Sequence, residues 1–381
     1  MDKNIPFVFG VKAEGDVFTD RVTETENLVA NFRYGQNTII ISPRRMGKTS
    51  LVSKAANMVM SDDIRVARMD AFGCRSERDF VDAFATAVIR ATSTKWEEWL
   101  ENVKVFLTRF VPKISMGEDP MTDFSISFEY NEQNRSTEDI LALPELIAKA
   151  KGIRIIVCVD EFQQIGEFAN SLDFQKKLRG IWQLQQHVTY CLYGSKKHMM
   201  EKMFQNRSYP FYQFGDIMHL KKISREDWIT FIMNRFETTG KQISQEFAGR
   251  ICDLTECYSS YVQQLAWYIW LHTQQEVGEA DVQFGISRLL DANESLYIQQ
   301  TESLTEYQMN FLKALSYGVH TGFSQQQNLK RFRYGTAANI VRIKNSLKER
   351  DLTDSPSPNH LEISDPILGL WLRKRVWGEL L

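Results

Sequence analysis

The chain has 381 residues, too many for one ordinary core, and its 46 basic and 48 acidic side chains leave a formal charge of −2. Apolar residues make up 43% and aromatics 12%, which excludes a disordered chain, and the near-neutral balance confines any nucleic-acid contact to a local patch. No apolar run approaches bilayer length, the densest being Leu265 to Leu271, and the amino terminus carries no signal-peptide apolar core.

Residues 5–26 read as a polar lead-in anchored by Phe7, Phe9 and Phe18, followed by a helix from Glu24 to Tyr34 that closes near Gly35. Thr38-Ile39-Ile40-Ile41 is a short β-branched strand, and an amphipathic helical stretch runs from Ser50 to Val59. Between them lies Ser42-Pro43-Arg44-Arg45-Met46-Gly47-Lys48-Thr49. Strand, tight loop ending in Gly-Lys-Thr, then helix is the context of a phosphate-binding P-loop, in which backbone N–H groups and the helix N-terminus cradle a polyphosphate. In that reading Lys48 reaches the β/γ-phosphates and the Thr49 hydroxyl ligates Mg²⁺. Ser42 stands where the pattern has its first Gly.

Ile64 to Asp70 reads as a second strand, and Phe80 to Leu107 carries helix-spaced apolar residues. Alternation from Pro112 to Tyr130 predicts a hairpin inserted at about residues 111–130, and Ile140 to Ala150 predicts a helix. Ile155-Ile156-Val157-Cys158-Val159-Asp160-Glu161 is an apolar strand ending in two carboxylates, and strand ends are where open α/β sheets bind ligands. Asp160 is a candidate for the Mg²⁺ shell, and Glu161 for orienting or deprotonating an attacking water. Val188 to Tyr193 forms a further strand ending in Gly194-Ser195, whose hydroxyl could bond a γ-phosphate or the water. The strand–helix alternation predicts an α/β fold, a parallel sheet with helices on both faces.

Helical spacing dominates from Phe214 and predicts a small lid running to Leu304, with Ser259 to Gln264 at a helix start placed to face the nucleotide. Two helices (Thr305–Tyr317, Gln325–Arg331), a third through Arg350 and a hairpin around residues 351–363 predict a winged helix. Between Gln325 and Arg350 stand Lys330, Arg331, Arg333, Arg342, Lys344, Lys348 and Arg350 against a single acid, Glu349. DNA contact, protein docking and a merely solvated face all fit that charge pattern. The expected domains are therefore 1–213, 214–304 and 305–381. The five cysteines form no CxxC pair, which fits free thiols in a reducing cytoplasm.

These motifs together resemble the archaeal-type ATPases of the AAA+-related STAND group, in the variant common in Bacteroidetes genomes, over almost the whole chain. Phe18-Thr19-Asp20-Arg21 is similar to that family's motif ahead of a helix near the adenine, and Ser42 to Leu51 to its P-loop, the Ser included. Val159-Asp160-Glu161-Phe162-Gln163 resembles its Mg²⁺ and base motif, Gly194-Ser195 its sensor strand, and Pro210-Phe211-Tyr212 the segment before the lid. Tyr261-Val262-Gln263-Gln264-Leu265 resembles the lid motif, although Cys257-Tyr258-Ser259 stands where the family has Gly-x-Pro. Asp365-Pro366 with Trp371-Leu372-Arg373 resembles the signature that follows the wing. The resemblance implies an ATPase that binds ATP/ADP and Mg²⁺. Its catalytic residues would be Glu161, Lys48 and Ser195, and its nucleotide-binding residues Ser42 to Ser50 with Asp20 and Arg21. Thr49 and Asp160 would ligate the metal. Hydrolysis would change lid contacts and so the orientation of the winged domain, which contacts duplex DNA or a protein through Lys330, Arg331, Arg333, Arg342 and Lys344. An arginine finger would come from Arg44, Arg45, Arg207 or a neighbouring copy in a homo-oligomer. The alternative is a non-hydrolysing scaffold or docking module.

Overall fold

The computed structural model describes residues 5–93, 112–116, 124–128, 136–357 and 359–378. The chain divides into two compact units: Arg21–Lys221, and a second made of the residues up to Asp20 together with Lys222–Leu381.

The first unit runs, in order, α1 (Val22–Tyr34), β1 (Thr38–Ile41), α2 (Lys48–Val59), β2 (Ile64–Asp70) and α3 (Glu77–Thr92). Then come β3 (Pro112–Met116), β4 (Phe124–Phe128), α4 (Ser136–Lys151), β5 (Arg154–Asp160), α5 (Ser171–Trp182), β6 (Val188–Gly194), α6 (Lys197–Gln205) and β7 (Asp216–His219). Five strands form one parallel sheet in the order β2-β5-β6-β1-β7. The interior of β5 and all of β6 are buried, as continuous apolar strands covered on both faces must be. On one side α3 and α5 present Phe80, Phe84, Phe174 and Trp182, and Trp182 stacks on Tyr190 of β6 at 4.1 Å. The topology has one consequence for chemistry. Because β6 lies between β1 and β5, its C-terminal tip falls between the loop after β1 and the carboxylates after β5.

Several expectations shift. The helix expected from Glu24 begins at Val22 behind a left-handed Arg21, and α2 begins at Lys48, inside the loop motif. The β3–β4 hairpin pairs Pro112 with Phe128 and Met116 with Phe124. The residues joining its two strands and the expected helical residues 94–107 lie outside the described residues. The 3₁₀ turn Phe162–Glu167, α5 and β7 have no counterpart in the sequence reading. β7 pairs with β1 from Thr38↔Asp216 to Ile41↔His219, so the sheet continues beyond the expected boundary at residue 213. Its four residues are only partly buried and carry little periodic signal.

In the second unit α7 (Arg225–Glu237), α8 (Gln245–Leu254), α9 (Ser259–His272) and α10 (Glu279–Thr301) are followed by α11 (Glu306–Ser316), α12 (Gln326–Phe332) and α13 (Ile340–Glu349). An antiparallel hairpin of β8 (Thr353–Ser357) and β9 (His360–Ile363) and a short α14 (Pro366–Trp371) complete it. Three helices and a hairpin follow α10, and Lys222–Leu381 group within one unit. Residues 5–20 group with this unit. Arg235 explains why, since its guanidinium donates to Pro6 O and Ile5 O, both at 2.9 Å. Phe7 packs against Phe231 and Phe236, and the Gln263 amide accepts from Val8 N and donates to Val17 O. No described helix is long and apolar enough to cross a membrane.

Candidate functional site

β1 is buried along its length and delivers the chain into a loop that must turn at once. Arg45 (φ 66) and Gly47 (φ 84) take left-handed conformations there, and Gly47, the residue preceding α2, bears that geometry without a Cβ penalty. An α-helix leaves the N–H groups of its first turn without intrahelical acceptors, and in α2 that turn opens with Lys48 and Thr49. Ser42 does not fall in the left-handed region, so the missing Gly introduces no strain. Its hydroxyl instead helps to cage the lysine.

Lys48 is buried, with its ammonium 2.8 Å from Pro43 O, 3.0 Å from Ser42 O and 3.3 Å from Ser42 Oγ. Burial brings it down to about 8 from 10.5, against the pull of Glu161 and Asp160. Thr49 Oγ1 donates to Asp160 Oδ2 at 2.8 Å. Burial likewise pushes the Asp160 carboxyl up to about 6. A lysine and an aspartate are thus both held against their preferred charge within one group of residues. Met46 anchors the loop as a buried side chain, and Arg21 braces it: the Arg21 guanidinium donates to Met46 O at 3.3 Å and to Glu24 Oε1 at 2.9 Å. Asp20 is exposed (φ 51) and ends the segment that belongs to the second unit.

At the end of β5 the chain turns through Glu161 in a left-handed conformation (φ 49, ψ 38), and Glu161 N donates to Asp160 Oδ1 at 2.9 Å. Ser195, delivered by β6, donates to Glu161 Oε2 from its N (3.2 Å) and its Oγ (2.8 Å). Arg44 Nε donates to Ser195 Oγ at 3.4 Å. The structure therefore brings together Arg21, Ser42, Arg44, Lys48, Thr49, Asp160, Glu161 and Ser195. Pro43 and Met46 contribute carbonyls and packing, Arg45 and Ser50 are half-buried, and Arg207 is exposed. Sequence reasoning placed Gln163 within the Mg²⁺ and base motif but gave it no separate role; it donates to Glu161 Oε2 at 2.5 Å. The signal was its place two residues after the acidic pair, on a turn too short for periodicity to register.

At the helix start Ser259–Gln264, two side chains have partners within their own unit. Tyr261 OH donates to Asp365 Oδ2 at 2.5 Å beside Tyr297 OH at 3.0 Å, and Gln263 holds the amino-terminal segment. Both side chains serve their own unit. Of the candidate nucleic-acid contacts, Lys330, Arg331, Arg333 and Arg342 are exposed. Lys344 is half-buried: its ammonium sits 4.1 Å over the Phe323 ring, and burial lowers it from its ordinary value.

No family profile matches the chain, and no curated protein matches its sequence. Its fold matches solved structures along almost the whole length. A Walker-type ATPase of Pyrococcus abyssi superposes with a TM-score of 0.69 at 14% identity, covering 97% of this chain and 99% of that one. The ORC2 protein of Aeropyrum pernix, in its ADPNP–ADP complexes, gives 0.60 at 14% identity with 99% of both chains covered. The ORC1 protein of the same organism in complex with DNA gives 0.51 at 10% identity, covering 95% and 94%. The chain therefore has the α/β fold shared by these Walker-type ATPase and ORC proteins.

Proposed function

We propose that this protein is an ATP-binding and ATP-hydrolysing molecular switch, of the STAND group, whose nucleotide state is coupled to a winged helix that contacts duplex DNA. The observation that carries the reading is the contact of Thr49 with Asp160 at 2.8 Å, made beside a buried lysine whose ammonium has loop carbonyls as its nearest acceptors. A triphosphate cradled by Ser42 to Ser50 offers Lys48 anionic oxygens in their place, which favours the charged ammonium further. Arg21 keeps the Met46 carbonyl, and with it the loop, in position.

A hydroxyl and a carboxylate are the hard oxygen donors that magnesium takes, and a cation beside Asp160 relieves the cost that raises its carboxyl to about 6. Thr49 and Asp160 would hold the ion, which when bound neutralises charge on the phosphate oxygens. Glu161 would orient the attacking water and accept its proton, while Ser195 and Arg44, already bonded to each other, stand as γ-phosphate contacts. The fold shared with an ORC protein in complex with DNA, and the exposed Lys330, Arg331, Arg333 and Arg342, favour DNA over a protein as the partner of the winged helix. Five free cysteines fit a cytoplasmic setting.

Steady-state phosphate release, measured with and without duplex DNA, tests the reading. Turnover and a salt-dependent retention on DNA are expected, and Arg333→Ala with Arg342→Ala should lower the log–log salt slope by about 2. Turnover without DNA retention leaves the winged helix as a protein-docking module. Nucleotide binding without any phosphate release makes the protein a scaffold.

A further inference from the structure

The Glu161 carboxylate is held by more than a base motif requires. Three donors converge on Oε2: Gln163 Nε2 at 2.5 Å, Ser195 Oγ at 2.8 Å and Ser195 N at 3.2 Å. A carboxylate oxygen offers about two lone-pair sites, so Oε2 is saturated, and Oε1 is the oxygen with capacity for an incoming water. Gln163 accepts a cost to make its contact. The side chain is 2% exposed, and its own Oε1 is buried with no hydrogen-bond partner among the described residues. Exchanging the amide atoms would set Gln163 Oε1 against a carboxylate, so the acid fixes the orientation.

The surrounding backbone is shaped for the same contact. Glu161 is left-handed and opens the 3₁₀ turn that carries Gln163 back beneath it. Gly194, one residue before Ser195, lies against the Gln163 amide so closely that a Cβ there would collide with Gln163 Oε1. Two positions on different strands' ends, one a glycine and one a buried amide, are thus fitted to each other around a single carboxylate.

We infer that Gln163 is the positioning residue of Glu161: with Ser195 it anchors Oε2 and turns Oε1 toward the attacking water, and Gly194 provides the room. The inference rests on the hydrolytic reading above. It assigns a role to the turn after the Asp-Glu pair that phosphate and metal binding do not need.

The test uses the full chain and follows phosphate release and Mg·ATP binding together. Gln163→Ala should lower kcat on the order of tenfold or more while KM and ATP affinity stay within about twofold. Gly194→Ala, which displaces the amide without altering a polar group, should reproduce the kcat loss. Gln163→Glu should lose more at neutral pH and recover as pH falls, because a protonated carboxyl restores the donor; Lys48, Asp160 and Arg44 are the other charged groups facing this cluster. Partial recovery at low pH is not expected of a residue that only fills space. Wild-type kcat in Gln163→Ala, a faster kcat, or a loss that merely tracks ATP affinity would each overturn the inference. Absence of phosphate release in the wild type would instead remove the hydrolytic reading, and the inference with it.

Discussion

Two segments, Ser42–Thr49 and Ser259–Gln264, both place polar side chains at the start of a helix, and they use them in opposite ways. In the first, Lys48 is buried with carbonyls as its hydrogen-bond acceptors and Asp160 is raised by burial, and for the lysine burial outweighs the pull of Glu161 and Asp160. Burial disfavours each of these two charges by roughly 3 kcal/mol. In the second, Tyr261 is bonded to Asp365 and Tyr297, Gln263 to Val8 and Val17, and Asp365 Oδ1 also caps α14 through Ile367 N. Each of those groups has its partner, although Ser259 Oγ at the start of the segment has none among the described residues. Unrelieved electrostatic cost marks a site that awaits a ligand, whereas a satisfied network marks one that holds a fold together.

The contrast is open to direct attack. Its largest expected effect is at Glu161. Glu161→Gln should keep nucleotide affinity and lower phosphate release about 10²–10⁴-fold, the range of a general base, and retained turnover would remove the residue from that role. The second segment predicts the opposite pattern. Tyr261→Phe should cost about 1–2 kcal/mol of stability by removing a bond to a charged partner, seen as a lower denaturation midpoint, while ATP affinity is unchanged. A loss of ATP affinity there would return the segment to the nucleotide site.

The smallest effect carries a sign. Asp160 is raised from 3.8 to about 6, so between those values the folded state binds more protons than the unfolded one. Its contribution to stability is full below pH 4 and is lost as pH rises through 6. Asp160→Asn should flatten that dependence and, without ligand, stabilise the protein by about 1 kcal/mol at pH 7, a shift of about 2–4 °C in melting temperature. Destabilisation would mean that the carboxylate is a structural partner of Thr49 rather than a waiting ligand.

Much of the first region was legible in the sequence because its signals are local. An apolar strand, Gly-Lys-Thr and a second apolar strand ending in Asp160-Glu161 each announce themselves within a few residues, and the parallel sheet follows from their alternation. What stayed hidden depends on distant pairing. β7 is four residues, two half-buried and two exposed, whose identity as a strand comes from lying beside β1. The allegiance of residues 5–18 depends on Arg235 and Gln263, which lie more than two hundred positions away in the chain. Lys344 carries the same letter as its exposed neighbours, and its contact with the Phe323 ring, which half-buries it, is invisible in the sequence. Gln163 was visible as a residue but not as a contact, since its partner Gly194 arrives on another strand.

The central claim is that Lys48, Thr49 and Asp160 are arranged for a magnesium–triphosphate. Titration of the wild-type protein with Mg·ATP in a calorimeter tests it most directly. The expected result is a one-to-one isotherm whose affinity falls about 100-fold or more in Lys48→Ala, the worth of a pair of charge-assisted hydrogen bonds. A flat isotherm for folded wild-type protein, or one that Lys48→Ala leaves unchanged, would contradict it.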